Sequence, residues 1–224
     1  TLSSGSWMMG SAYSLESSSG TFTIGGCFDG TSVMNPFDGK LGHVRMYQGI
    51  LSSQEIDSII NFESDSVTIS PLNLVAFWPL NEDSGTIVHD SSSNDLHGST
   101  NLGVIWSSSE SAEFDGVDDY ISIPDSSLFN IIDELSLSAW IKITASGLDQ
   151  MIVGKSTLST SNYHLMVNAA DQIQFRFYSQ GVWNDFHTSS SINMNEWYHV
   201  ALTYDGNSDP NIYLNGKQET GTWS

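Results

Sequence analysis

Short runs in which apolar and polar residues alternate recur along most of the chain, and they decide its fold class. In LSLSAWIKI (135–143) the residues Leu135, Leu137 and Ile141 point one way, and in QIQFRFY (172–178) Phe175 and Phe177 do the same. Alternation with a period of two is typical of strands that are buried on one face. Turn sequences such as YDGNSDPN and LNGK separate the runs. The pattern predicts an all-β protein.

One short helix interrupts this pattern. Ser52 or Ser53 precedes Gln54 and Glu55 in a capping-box-like start, and Ile56, Ile59 and Ile60 follow at helical spacing. The polar stretch ESDSVTISP comes next and reaches a proline. We interpret residues 66–73 as a linker between two blocks of strands.

The charge of the chain excludes several kinds of partner. Its 224 residues include 6 Lys and Arg against 26 Asp and Glu, a formal net charge of -20. Binding to nucleic acid or to an anionic membrane surface requires clustered cations, so neither is expected. Membrane insertion is not expected either, because no apolar run approaches about 18 residues. The Ser-, Thr-, Asn- and Gly-rich polar surface and the lone Cys27 favour a secreted or cell-surface protein, of bacterial rather than animal type.

Five motifs, taken in their order along the chain, resemble those of a known family. They are AFWPLNEDSGTIVHDSSSNDLHG, AEFDGVDDYISIP, LSLSAWIKI, EWYHVALTYDG and NIYLNGK, and they resemble the laminin G-like domains of the concanavalin A-like superfamily. The resemblance implies a two-sheet antiparallel jelly-roll sandwich. In that family an IGG strand, an FDGKL strand and a small helix close the domain. Here the matching residues, 22–26 and 37–56, come first.

The inverted order divides the chain into two blocks. Residues 1–65 resemble the closing strands and helix of such a sandwich, and residues 74–224 resemble its opening and central strands. Three arrangements are open. The chain could be permuted and close on itself, the first block could complete the sandwich of a neighbouring copy in a head-to-tail polymer, or the sequence could be cut from a tandem array.

Two Asp-rich loops, at 90–95 and 115–119, are candidates for a cation site. Their carboxylate and amide oxygens are the ligands that Ca²⁺ prefers, and the resemblance implies one structural calcium. We predict Asp90, Asn94 and Asp119 as ligands. Two observations weigh against a calcium site at these loops. Asp and Asn are common turn residues, and Gly42 and His43 stand where the family usually has an acidic pair.

The segment GVWNDFH (181–187) is the candidate carbohydrate site. Lectin sites combine an aromatic platform with polar side chains that hold hydroxyls. We predict Trp183, Asn184, Asp185 and His187 as ligand-binding residues, in a loop or at a strand end. Trp7 and Trp223 are second choices, and packing in the core or an interface is the alternative role of all these tryptophans. Those inside strand motifs, Trp78, Trp140 and Trp197, are expected in the core.

No catalytic motif is visible. The E-x-D-x-E pattern of related glycoside hydrolases, the HExxH spacing and a nucleophile elbow are all missing from the sequence. We therefore predict a non-catalytic, extracellular carbohydrate- or matrix-binding adhesion module, stabilised by calcium. The alternative is a structural repeat of a surface filament that assembles by strand exchange.

Overall fold

The structure is a computed structural model, and it describes residues 15, 20–29, 31–61, 73–107, 111–131, 133–156 and 161–224. Except for Asn73, the predicted linker 66–73 lies outside these residues, and so does Trp7.

The elements are strands, with one α-helix and one 3-10 turn (Ser127–Phe129) among the described residues. In chain order they are β1 (Thr21–Ile24), β2 (Cys27–Phe28), β3 (Val33–Met34), β4 (Asp38–Gln48), α1 (Ser53–Ile60), β5 (Leu74–Trp78), β6 (Ile87–Val88), β7 (Gly98–Asn101), β8 (Ile105–Ser107), β9 (Ser111–Asp115), β10 (Tyr120–Ile123), β11 (Leu135–Ile143), β12 (Gln150–Ser156), β13 (Ser161–Val167), β14 (Gln172–Ser179), β15 (Val182–Ser191), β16 (Tyr198–Tyr204), β17 (Asn211–Leu214), β18 (Lys217–Gln218) and β19 (Gly221–Trp223).

Two large antiparallel sheets form a sandwich, as predicted. One sheet has the order β19-β15-β14-β13-β12-β1-β10-β7-β6. The other has the order β18-β17-β16-β11-β4-β9-β8, with β5 also paired to β4, and β2 and β3 form a small separate hairpin. Strands from the first block therefore lie inside both sheets. β1 lies between β10 and β12, and β4 lies between β11 on one side and β9 and β5 on the other.

The alternating residues of the strands face each other across the sandwich and form its core. The apolar positions of β11 and β14 predicted to point inward, among them Leu137, Ile141 and Phe175, are buried. Phe22 of β1 stacks on Trp78 of β5, with ring centroids 5.3 Å apart. Burial of these faces supplies the main driving force for folding.

Helix α1 covers part of the outer face of the sheet that contains β4. The predicted capping box is present: Glu55 N donates to Ser52 Oγ (3.3 Å), and Ser52 N donates to Glu55 Oε2 (2.7 Å). Ile56 and Ile59 of the helix pack against Tyr47 of β4, Ala201 of β16 and Tyr213 of β17. The helix thus covers part of the outer face of this sheet, and among the described residues it does not contact the outer face of the other sheet.

The pairing of β4 with β11 depends on Gly39. Its φ is +143°, and a Cβ at this position would overlap the carbonyl oxygen of Lys142 on β11. Only glycine lets the two backbones come this close without strain.

We expect Gly39→Ala to lower the free energy of unfolding by more than about 2 kcal/mol, because the Cβ combines an unfavourable φ with a backbone clash. Gly85→Ala is the matched control: its φ is +89° with nothing within 4 Å of the added Cβ, so only the backbone cost of about 1 kcal/mol remains. Urea denaturation of both variants measures the difference. Equal losses would show that β4 and β11 do not approach as described.

Candidate functional site

The predicted carbohydrate segment, expected in a loop or at a strand end, forms the first part of strand β15. Phe186 and Thr188 of β15 are buried, so residues at alternate positions, Trp183, Asp185 and His187, lie on the outer face of the sheet. Asn184 lies on the inward-pointing side of the strand, and its Nδ2 donates to Val182 O (3.2 Å). The structure therefore places three of the four predicted residues on one face and Asn184 on the other. His187 lies four residues along the strand from Trp183, opposite Gln174 of β14, and its Nδ1 lies 3.1 Å from Thr188 O.

Neighbouring strands add side chains to the same outer face. Tyr178 and Arg176 of β14 are the cross-strand partners of Trp183 and Asp185, and His164 of β13 is the partner of Arg176. We call the five residues Trp183, Asp185, Tyr178, Arg176 and His164 the Trp183 surface. Sequence reasoning missed Tyr178, Arg176 and His164. The alternation of β14 contained a signal for two of them, because its inward residues leave Arg176 and Tyr178 facing outward.

Trp183 is held at the centre of this surface by its neighbours. Its side chain remains 42% exposed. The His164 ring lies 5.4 Å from the indole centroid at an interplanar angle of 36°, and the Tyr178 ring lies 5.5 Å away in an edge contact at 70°. Arg176 Cζ lies 5.4 Å from the indole centroid. The indole is thus fixed on a rigid strand and still accessible.

Arg176 and Asp185 form a two-pronged ion pair. Arg176 Nε donates to Asp185 Oδ1 (2.6 Å), and Arg176 Nη2 donates to Asp185 Oδ2 (2.9 Å). The hydrogen bond from this carboxylate raises the pKa of Arg176 above its usual value. Planar pairing of this kind is the strongest geometry for an Arg–carboxylate contact, and it fixes both side chains beside Trp183.

Within the Trp183 surface, the His164 side chain is itself buried and incompletely hydrogen-bonded. It is 7% exposed, and its Nε2 has no hydrogen-bond partner within the described part of the chain. Burial, with the nearby Arg176 charge, lowers the pKa of His164 to about 4, although Asp185 acts in the opposite direction. The imidazole is therefore neutral at pH 7.

The remaining tryptophans have varied roles. Trp78 is fully buried, as predicted. Trp140, also expected in the core, is only half-buried and lies beside His199, with the ring centroids 5.5 Å apart. Trp197 precedes β16 and is 37% exposed, so its predicted place in the core is wrong. Trp223, a second choice for the site, packs on Phe186 with ring centroids 5.2 Å apart.

Asp90, predicted as a calcium ligand, organises backbone instead. Its Oδ1 accepts from the N–H of Phe77 (2.9 Å) and of Ser92 (2.8 Å), and its Oδ2 accepts from Ser92 Oγ (2.7 Å) and Leu96 N (2.9 Å). Asn94 Nδ2 donates to Val75 O (2.9 Å). These bonds attach the 90–96 loop to β5, and they occupy the carboxylate oxygens that a cation would need.

Asp119 lies in a different group of carboxylates. Among the described residues, the His, Cys, Asp and Glu side chains that approach closely enough to share a cation are Asp115, Asp118 and Asp119, with one oxygen of each within 4.8 Å of the others. Burial raises the pKa of Asp119, and the charges of Asp115 and Asp118 act in the same direction, against the N–H groups of Asp115 and Gly103. Asp90 is not part of this group.

Comparison with known proteins supports the fold assignment. The family model for the laminin G type of the concanavalin A-like lectin/glucanases superfamily matches residues 115–222, a little under half of the chain. The resemblance noted in the sequence is confirmed over that range. No match was found among curated proteins or among solved structures. Within the described residues, α1 and the other helical turn are too short and too polar to cross a membrane.

We expect Asp90→Ala to lower the free energy of unfolding by about 2 kcal/mol or more, because several N–H groups lose their acceptor. The loss should be the same in calcium and in chelator, which denaturant titration measures. Asp83→Ala, at an exposed carboxylate of the β5–β6 loop, is the control. A loss that disappears in chelator would make Asp90 a metal ligand.

His164 should make the protein less stable in acid. The unfolded chain binds a proton near pH 6.5, whereas the folded protein resists it until about pH 4. The unfolded state thus binds more protons in this window, and stability falls from pH 6.5 to pH 4 by roughly 3 kcal/mol. In His164→Gln the loss of stability between pH 7 and pH 4 should be smaller by about that amount. Equal losses in both proteins would contradict the burial of a neutral His164.

Proposed function

We propose that the chain is a non-catalytic, extracellular module that binds carbohydrate or a matrix glycan on the Trp183 surface. The observation that carries this proposal is the accessible indole of Trp183 (42% exposed), held between Tyr178, His164 and Arg176 on a rigid sheet. An aromatic ring stacks on the apolar face of a pyranose, while adjacent polar groups bind its hydroxyls. The superfamily match, whose description includes lectins and glucanases, is compatible with this role.

The chemistry of the surface favours binding over hydrolysis. Glycoside hydrolysis generally uses two carboxyl groups that flank the scissile bond. Of the five residues that form the Trp183 surface, Asp185 alone carries a carboxylate, and both of its oxygens accept from Arg176. The surface therefore offers no second carboxyl group to flank a scissile bond, and its one carboxylate is already engaged by the guanidinium.

Trp183→Ala should weaken glycan binding at least about tenfold, or about 1.4 kcal/mol, because the stacking platform is lost. A glycan array followed by calorimetry on the bound glycans measures the change. Trp197→Ala, which removes another exposed tryptophan, is the matched control. Equal binding by the wild type and both variants would remove Trp183 from the site.

We also propose that calcium stabilises the domain through Asp119 together with Asp115 and Asp118. Three carboxylates within 4.8 Å supply part of the six to eight oxygens that Ca²⁺ takes. The hydrogen bonds to Asp119 leave lone pairs on its oxygens, so these residues fit a partly hydrated ion, whereas Asp90 does not.

Calcium at a hundredfold excess over Kd should add about 2.7 kcal/mol of stability, or about 5–10 °C in Tm. Thermal unfolding in calcium and in chelator measures this shift. Asp118→Asn should abolish the shift and Asp83→Asn should retain it. The same Tm for the wild type in both buffers would rule out the calcium proposal.

A further inference from the structure

The charge of the Trp183 surface constrains which glycans it can take. Its charged side chains are Arg176 and Asp185, and they neutralise each other through two hydrogen bonds, of 2.6 and 2.9 Å. Their side chains are 34% and 18% exposed, so the pair is partly removed from water. A sulfate or carboxylate ligand would have to compete with Asp185 for the guanidinium.

His164, the imidazole within this surface, does not supply a cation at neutral pH. Its pKa is lowered to about 4 by burial and by Arg176. The groups that face it from neighbouring strands are Arg176 on β14 and Trp183 and Asp185 on β15, with Gly154 on β12. The surface therefore carries no net charge at pH 7.

The remainder of the molecule repels anions. The chain has a formal net charge of -20, with 6 Lys and Arg against 26 Asp and Glu. Such a charge lowers the local concentration of anionic ligands and slows their association. An acidic glycan would thus meet an unfavourable field and then no unpaired cation at the site.

The same ion pair suits hydroxyl groups. The guanidinium keeps N–H donors that Asp185 does not use, and the carboxylate keeps free lone pairs beside them. A sugar hydroxyl both donates and accepts, so two neighbouring hydroxyls can bind the donor edge and the acceptor edge together. Trp183 lies beside this pair, with Arg176 Cζ 5.4 Å from its ring centroid.

We infer that the Trp183 surface selects uncharged pyranose glycans and rejects sulfated or uronic-acid glycans, with the Arg176–Asp185 pair as the specificity determinant. The inference rests on the proposed glycan-binding function and names the ligand class of that site.

The test compares neutral glycans with acidic counterparts of the same backbone, for example dextran with dextran sulfate and β-1,4-mannan oligosaccharides with β-1,4-mannuronate oligosaccharides, beside a general array. We expect Trp183-dependent binding to neutral glycans, with sulfated counterparts at least tenfold weaker. Trp183-dependent binding of an acidic glycan that equals or exceeds the neutral one would overturn the inference and leave the proposed function standing. If no glycan of either class binds through Trp183, the proposed function fails, and the inference fails with it.

A second arm tests the ion pair itself. Asp185→Asn releases Arg176, so the ratio of acidic to neutral glycan binding should rise at least tenfold. Asp83→Asn removes the same charge from an exposed loop and should leave the ratio unchanged. The double variant Arg176→Gln/Asp185→Asn keeps hydrogen-bonding groups without the cation and should show no gain.

Unfolding curves verify that each variant folds. Equal ratios for Asp185→Asn and Asp83→Asn, or a gain that persists in the double variant, would refute the role of the pair.

Discussion

The antiparallel pairing of β4 with β11 joins parts of the chain that are about a hundred residues apart, and it lies at the centre of the sheet β18-β17-β16-β11-β4-β9-β8. β4 pairs with β11 from Gly39 opposite Ile143 to Gln48 opposite Leu135, while its other edge is shared by β9 and β5. Removing β4 would leave the edge of β11 unpaired and expose the apolar face beneath it. Unpaired edges of this kind associate with other chains. The position of α1 follows from the same strand, because the helix begins soon after β4 ends and folds back over it.

This architecture gives the two outer faces different properties. α1 covers part of the face above β4, β16 and β17, so apolar residues there are removed from water. On the other sheet, the outer face of β13–β15 carries polar and aromatic side chains on paired strands. Binding groups on strands lose little conformational entropy when a ligand arrives, because the sheet already fixes them. Partial burial strengthens the Arg176–Asp185 contact and keeps His164 neutral, and both effects determine the chemistry that this face offers.

Period-two alternation predicted an all-β protein, and the capping-box sequence predicted α1, because both depend on local patterns. The two-sheet jelly-roll sandwich was implied by the family resemblance. Short edge strands such as β6 and β19 were missed, since two or three residues carry too little periodicity. Trp183, Asp185 and His187 were predicted as ligand-binding residues in a loop or at a strand end, and they lie on one outer face of β15. Their facing was not predicted, so Asn184 was included although alternate residues of a strand face opposite sides. Arg176 and His164 come from other strands, and their register against β15 is a tertiary property. Asp90 illustrates the same limit: the sequence shows a carboxylate in a loop, whereas its four hydrogen bonds depend on how the loop folds against β5.

The central claim is that β4 completes the sheet of its own molecule, and a cross-strand disulfide tests it most directly. Lys40 of β4 lies opposite Lys142 of β11. A protein with Lys40→Cys and Lys142→Cys, in a Cys27→Ala background, should oxidise to a compact monomer near 24.5 kDa. It should run as one band on a denaturing gel without reductant. Its mass in dilute solution should be the same before and after oxidation. Disulfide-linked ladders that collapse to a single band on reduction would show that β4 pairs with β11 of a neighbouring copy, and would contradict closure within one chain.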